Sequence, residues 1–131
     1  ASYGGKRSKE LASVHHRLAN AYLAEGEREK ALAELDSAYK IDPSSVRILK
    51  DLGELASATG DLERAQKTYR ALLLQKLDAT APITKAEVFY HLGEILHRQG
   101  DKPKAILMLE RAVETDGKLI KARDLLAELK A

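Results

Sequence analysis

Three eleven-residue segments of this chain share one skeleton. They are RLANAYLAEGE (Arg17 to Glu27), DLGELASATGD (Asp51 to Asp61) and HLGEILHRQGD (His91 to Asp101). Each has Leu second, a small residue third (Ala19, Gly53, Gly93) and Gly tenth (Gly26, Gly60, Gly100). Each is followed by a related half with Ala at the same place: Ala31, Ala65 and Ala105. The copies are 34 and then 40 residues apart. An internal period of this size restricts the chain to stacked supersecondary units, because one unit alone cannot bury its apolar faces.

The unit reads as two helices. In the first, apolar residues recur every three or four positions, as in Leu11, Val14, Leu18, Tyr22 and in Val88, Leu92, Ile95, Leu96. The Gly ends that helix by accepting a left-handed conformation. The second helix repeats the pattern through Ala31, Leu32, Leu35, Ala38, Tyr39 and through Ala105, Ile106, Leu109, Ala112, Val113. Asp42-Pro43 closes the first unit. Aromatics are only 5% of the chain and Trp is absent, so Ala and Leu supply the apolar surface; that favours closely packed helices over sheets. The expected class is all-α.

With units numbered from Ala12, Val46 and Ala86, the chain resembles the tetratricopeptide repeat family. The first unit presents Leu18, Ala19, Tyr22, Ala31, Leu35, Ala38 and Pro43 at the family's signature positions, with His15 unusual. The third presents Phe89, Leu92, Gly93, Leu96, Ala105, Leu109 and Ala112, with Gly117 departing. The second is weaker: Leu49, Leu52, Gly53, Ala65 and Tyr69 match, while Ala56, Leu72 and Leu77 do not. The resemblance implies a right-handed superhelical solenoid of antiparallel helix pairs.

Residues 1–8 are expected as a flexible lead-in and 9–131 as one domain. Its repeats fall at about 12–45, 46–85 and 86–119, with a final helix over 118–131 that caps or begins a fourth unit. The six extra residues belong to the second unit, around LDATAPIT (Leu77 to Thr84), and predict a longer second helix or a longer loop. Thr84-Lys85-Ala86-Glu87 reads as a capping box.

Several function classes drop out. With no cysteine there is no thiol nucleophile, disulfide or Cys-based zinc site. No Ser or Thr stands beside a base in a recognisable set, and Tyr3-Gly4-Gly5 lacks the context of a phosphate loop. We therefore expect no enzyme and no cofactor. The 22 basic and 20 acidic residues nearly balance, so nucleic acid is not indicated, and RNA-reading helical repeats are disfavoured by the lack of a basic stripe. No apolar run approaches the roughly 20 residues of a membrane span, so no membrane insertion is expected. The compartment is left open, with the cytoplasm favoured. Beginning at Ala1, the chain reads as part of a longer protein.

Glu87, His91, Glu94 and Arg98 step by four, three and four residues and share one helix face. The matching positions are Ser13, Arg17 and Asn20 in the first unit and Arg47, Asp51 and Glu54 in the second. His16, Lys50 and Tyr90 flank the stripe, and His97 follows it. The resemblance implies that this face lines a concave, partner-binding groove. A metal site at His91, Glu94 and His97 is disfavoured, since His97 lies about 120° around the helix from His91. The family's clamp for acidic chaperone tails is not matched. Asn20 fits it, but His16, Asp51, Glu87 and His91 stand at its other places, and the two acids would repel a carboxylate. The expected partner is a protein or peptide presenting Lys or Arg to Asp51, Glu54, Glu87 and Glu94. The competing reading is a stacking or self-associating module, with homo-oligomers, supported by the bulky ALLLQKL segment and an open third unit.

Overall fold

The computed structural model describes residues 2–131, with side chains from residue 5 onward. Among them run seven helices and no strand: α1 (Ser2–Ala24), α2 (Arg28–Ile41), α3 (Val46–Thr59), α4 (Leu62–Leu73), α5 (Lys85–Arg98), α6 (Lys102–Thr115) and α7 (Ile120–Lys130). Local chemistry sets most of the ends. Gly26, Gly60 and Gly100 sit at φ +78°, +86° and +84°, where a side chain would be strained, and each turns a first helix into its partner. Asp61 and Asp101 then cap α4 and α6 by accepting from the Arg64 and Lys104 amides. The expected capping box forms: Thr84 Oγ1 accepts from Glu87 N–H at 3.1 Å, and Glu87 Oε1 accepts from Thr84 N–H at 3.0 Å.

Two expectations resolve here. The extra residues after the second hairpin are a loop, since α4 stops at Leu73 and α5 starts at Lys85. Ile83 is buried in the core and Leu77 packs against it, so the loop is anchored, while Leu74 is exposed. Residues 2–8, expected as a flexible lead-in, belong to helix α1; Ala1 and the side chains of residues 2–4 lie outside the described part. Lys6 and Arg7 favour helix while Gly4 and Gly5 oppose it, so local propensity alone does not account for the extension of α1.

Each helix packs chiefly on its neighbours in sequence, from α1 on α2 through α6 on α7. Contacts are thus local along a line, as in a solenoid. Leu49, Ala65, Tyr69, Leu72, Val88, Leu92 and Ile95 form the central core between the second and third hairpins. The final helix packs on the third hairpin through Ala122 and Leu129, beside Leu109 and Ala112. Among the described residues, no helix is long and apolar enough to cross a membrane.

Candidate functional site

The first helices α1, α3 and α5 present the fourteen residues singled out from the sequence. At least nine of them are engaged with one another or with their surroundings. His16 on α1 meets Asp51 on α3, Nε2 to Oδ2 at 2.5 Å. Lys50 Nζ lies 2.7 Å from Glu54 Oε1 and 4.0 Å from Asp51 Oδ1. The bond to Glu54, opposed by burial, holds the Lys50 ammonium above its ordinary pKa. His91 Nδ1 is 3.6 Å from Glu94 Oε1, and the Tyr90 hydroxyl donates to Glu94 Oε2 at 3.3 Å. Hydrogen bonding from His91 is the largest cause that depresses the Glu94 carboxyl below its usual range. Arg98 Nη1 reaches back to α3, donating to Ser57 Oγ at 2.9 Å and to Ser57 O at 3.1 Å.

These contacts revise the electrostatic expectation. Asp51 and Glu54 stand on α3 and Glu87 and Glu94 on α5, and each already has a partner of its own: His16, Lys50, the Thr84 amide and His91. The face is therefore internally compensated rather than a bare acidic field. Glu54 and Glu94 retain 49% and 41% side-chain exposure, so their carboxylates keep open acceptor positions.

Two open clefts cross this face. One, of about 350 Å³, is lined by Glu54, Ser57, Ala58, Tyr69, His91, Glu94 and Arg98. The other, of about 250 Å³, is lined by Asn20, Leu23, Arg28, Asp51, Glu54, Leu55 and Ala58. They share Glu54 and Ala58 on α3, so they run on from one another between α1 and α5. Ser13 lies apart, in a shallow hollow on α1 with Lys6, Lys9 and Glu10. His16, Arg17, Arg47, Lys50, Glu87, Tyr90 and His97 are not among the residues lining the two clefts, and Arg17, Arg47 and His97 are exposed.

Sequence reasoning assigned Tyr69 to scaffold. The structure makes it the floor of the larger cleft as well. Its ring lies against Gly53, where an added Cβ would sit 3.0 Å from ring carbons. It stacks on His91, with centroids 5.0 Å apart and planes 19° from parallel, while Tyr90 meets His91 edge-on at 5.3 Å. Burial, reinforced by Glu54 and Glu94, pushes the Tyr69 phenol well above its ordinary pKa. The signal was present: a Gly opposite an aromatic ring lets that ring reach the far face. His15, the departure from the family pattern, is half-buried with Nδ1 2.5 Å from Glu34 Oε2 on α2.

The fold and this face define an α-solenoid of helical hairpins with a continuous surface built by the first helices. Sequence profiles described as Tetratricopeptide repeat match residues 22–83 and 86–119, and the chain belongs to that family. No curated protein matches it by sequence. Among solved structures, the crystal structure of MamA is similar at a TM-score of 0.79 and 22% identity, over 92% of this chain; the chain spans 62% of the MamA chain. YrrB, described as a TPR protein with an unusual peptide-binding site, is similar at 0.72 and 25% identity, over 95% of this chain and 61% of its own. The first TPR of Spaghetti (RPAP3), solved bound to the HSP90 peptide SRMEEVD, is similar at 0.75 and 13% identity, over 93% of this chain and 92% of its own. The protein is thus an interaction module of the tetratricopeptide class.

Proposed function

We propose that the face formed by α1, α3 and α5 is a non-catalytic groove that takes a helical or extended segment of a protein partner. The carrying observation is the pair of clefts that share Glu54 and Ala58 and so cross three hairpins in one path. A second support is that YrrB and Spaghetti are described with peptide sites on related folds. The partner presents Lys or Arg to Glu54 and Glu94, the two acids with the most open acceptor positions on this path. Acidic chaperone tails are disfavoured because Asp51 and Glu87 stand where a clamp needs donors.

The test is affinity capture with this chain, then calorimetry of the captured segment. Wild type should bind with micromolar affinity, and Glu54→Arg with Glu94→Arg should weaken it at least about tenfold, or 1.4 kcal/mol. Unchanged affinity for the double variant removes the groove reading.

A further inference from the structure

Helix α7 holds the register of a first helix. With a unit numbered from Ile120, its third and tenth residues, Ala122 and Leu129, are buried in one cluster with Leu109 and Ala112 of α6. Val88 and Ile95, third and tenth in the preceding unit, are buried in the same way with Tyr69 and Leu72 of α4. Lys121 agrees with this register, since its Nζ lies 5.0 Å from the centroid of the Tyr90 ring. Tyr90 is fifth in its unit and Lys121 second in the next. One unit earlier the same step relates Lys50 to Glu87, whose charge acts on the Lys50 ammonium.

The second and ninth places of a unit are seven residues apart. On an α-helix that is about 20° of rotation and roughly 10 Å of rise, so both stand on one side of the helix at different heights. The ninth place holds Glu54, Glu94 and Glu128 on α3, α5 and α7. The second holds Arg47, Glu87 and Lys121 on the same helices. Glu87 is committed to the cap of α5 and to the field at Lys50. Arg47 and Lys121 are exposed, and neither forms an ion pair among the described residues. The Tyr90 ring attracts the Lys121 ammonium without cancelling its charge. Glu128 is exposed, and Glu54 and Glu94 keep open acceptor positions. The surface is therefore polar across its width, cationic along one edge and acidic along the other.

We infer that the partner is an α-helix lying across α3, α5 and α7. Its basic flank lies over Glu54 and Glu94, and its acidic flank over Arg47 and Lys121. The width selects a helix, because an α-helix with its side chains is about 10–12 Å across and matches the separation of the two rows. Residues about two or five apart on the partner supply the opposite flanks. Reversing the partner would exchange its flanks, so the two rows also fix its direction. This rests on the groove reading and adds Lys121 and Arg47 to it as the residues that read acids.

To test it, a displayed library of random helical peptides is selected on the chain, and enriched peptides are measured by fluorescence anisotropy. They should carry Lys or Arg on one flank and Asp or Glu on the other. Arg47→Glu with Lys121→Glu should weaken them at least about tenfold at low salt, and less at high salt. The melting temperature of that variant should stay within about 2 °C of wild type, since both side chains are exposed. Replacing the acids of the peptide by Lys should restore its binding to the variant, which a purely structural role would not do. Peptides that are weakened by Glu54→Arg with Glu94→Arg, yet bind the Arg47, Lys121 variant like wild type, overturn the inference and leave the groove reading standing. Peptides that stay non-helical by circular dichroism when bound, or that carry both charges on one flank, also overturn it alone. Affinity unaffected by Glu54→Arg with Glu94→Arg, or a library without enrichment, removes the groove reading and this inference with it.

Discussion

His16 and Asp51 join the first helices of two successive hairpins, Nε2 to Oδ2 at 2.5 Å, with side-chain exposures of 18% and 26%. The adjacent His15 turns the other way and holds Glu34 of α2, within its own hairpin. Two consecutive histidines thus tie α1 to both of its neighbours. In a solenoid whose contacts run chiefly between neighbouring helices, such a cross-seam pair helps set how one hairpin is rotated on the next.

The first prediction concerns that pair. His16→Ala and Asp51→Ala should each destabilise the chain by about 1 kcal/mol, and the double variant should show a coupling of roughly 0.5–1.5 kcal/mol. Urea denaturation of the four proteins at pH 6 measures it. A coupling indistinguishable from zero means that the pair contributes nothing to the seam.

Tyr69 connects core and cleft. Tyr69→Ala should cost about 3–5 kcal/mol, whereas Tyr69→Phe, which keeps the ring on Gly53 and His91, should stay within about 1.5 kcal/mol of wild type. The phenol supplies an independent readout. Its folded pKa is raised, so the native state holds the proton more tightly than the unfolded chain. Its contribution to stability is therefore complete below the unfolded value of about 10 and is lost as pH rises above it. Absorbance at alkaline pH should show one tyrosine that ionises only on unfolding, and Tyr69→Phe should remove that step.

Glu94 titrates in the opposite sense. Its folded pKa is depressed, mainly by His91, so its contribution is present above the unfolded carboxylate value and is lost as pH falls through the folded one. The stability gap between wild type and Glu94→Gln should narrow on acidification from about pH 6 to pH 3. In His91→Phe, the Glu94 carboxyl resonance should titrate closer to an ordinary glutamate. A carboxyl still equally depressed there would show that His91 is not the cause.

The small residue that opens the third hairpin is sterically required. A Cβ on Gly93 would sit 2.7 Å from Leu109 Cγ and 3.3 Å from the Ala105 carbonyl oxygen, which belongs to backbone and cannot rotate away. Gly93→Ala should cost about 1–3 kcal/mol by overpacking. Leu109→Ala in the same chain should recover part of that loss, giving a non-additive double variant in thermal denaturation.

The helices, their turns and their caps were legible in the sequence because their causes are local. A Gly at positive φ, an Asp at an N-cap and apolar residues every three or four positions act within a few residues of chain. The repeat then extended those local signals to a hairpin solenoid, since identical unpartnered faces must stack. The loop over LDATAPIT was legible only as two alternatives; Leu77 and Ile83 chose between them by packing against α4 and α5.

Sequence by itself determined which residues share one side of each single helix, because helical periodicity fixes angle around an axis. It did not determine what each of them meets, which depends on distances between helices far apart in sequence. Only the tertiary structure decided that the four groove acids are already partnered, that Tyr69 passes over Gly53 to floor a cleft, and that Arg98 reaches back to Ser57. The stripes on α1 and α5 look alike in sequence, and only the presence of α4 beside α5, with no such helix beside α1 among the described residues, buries one and leaves the other to solvent.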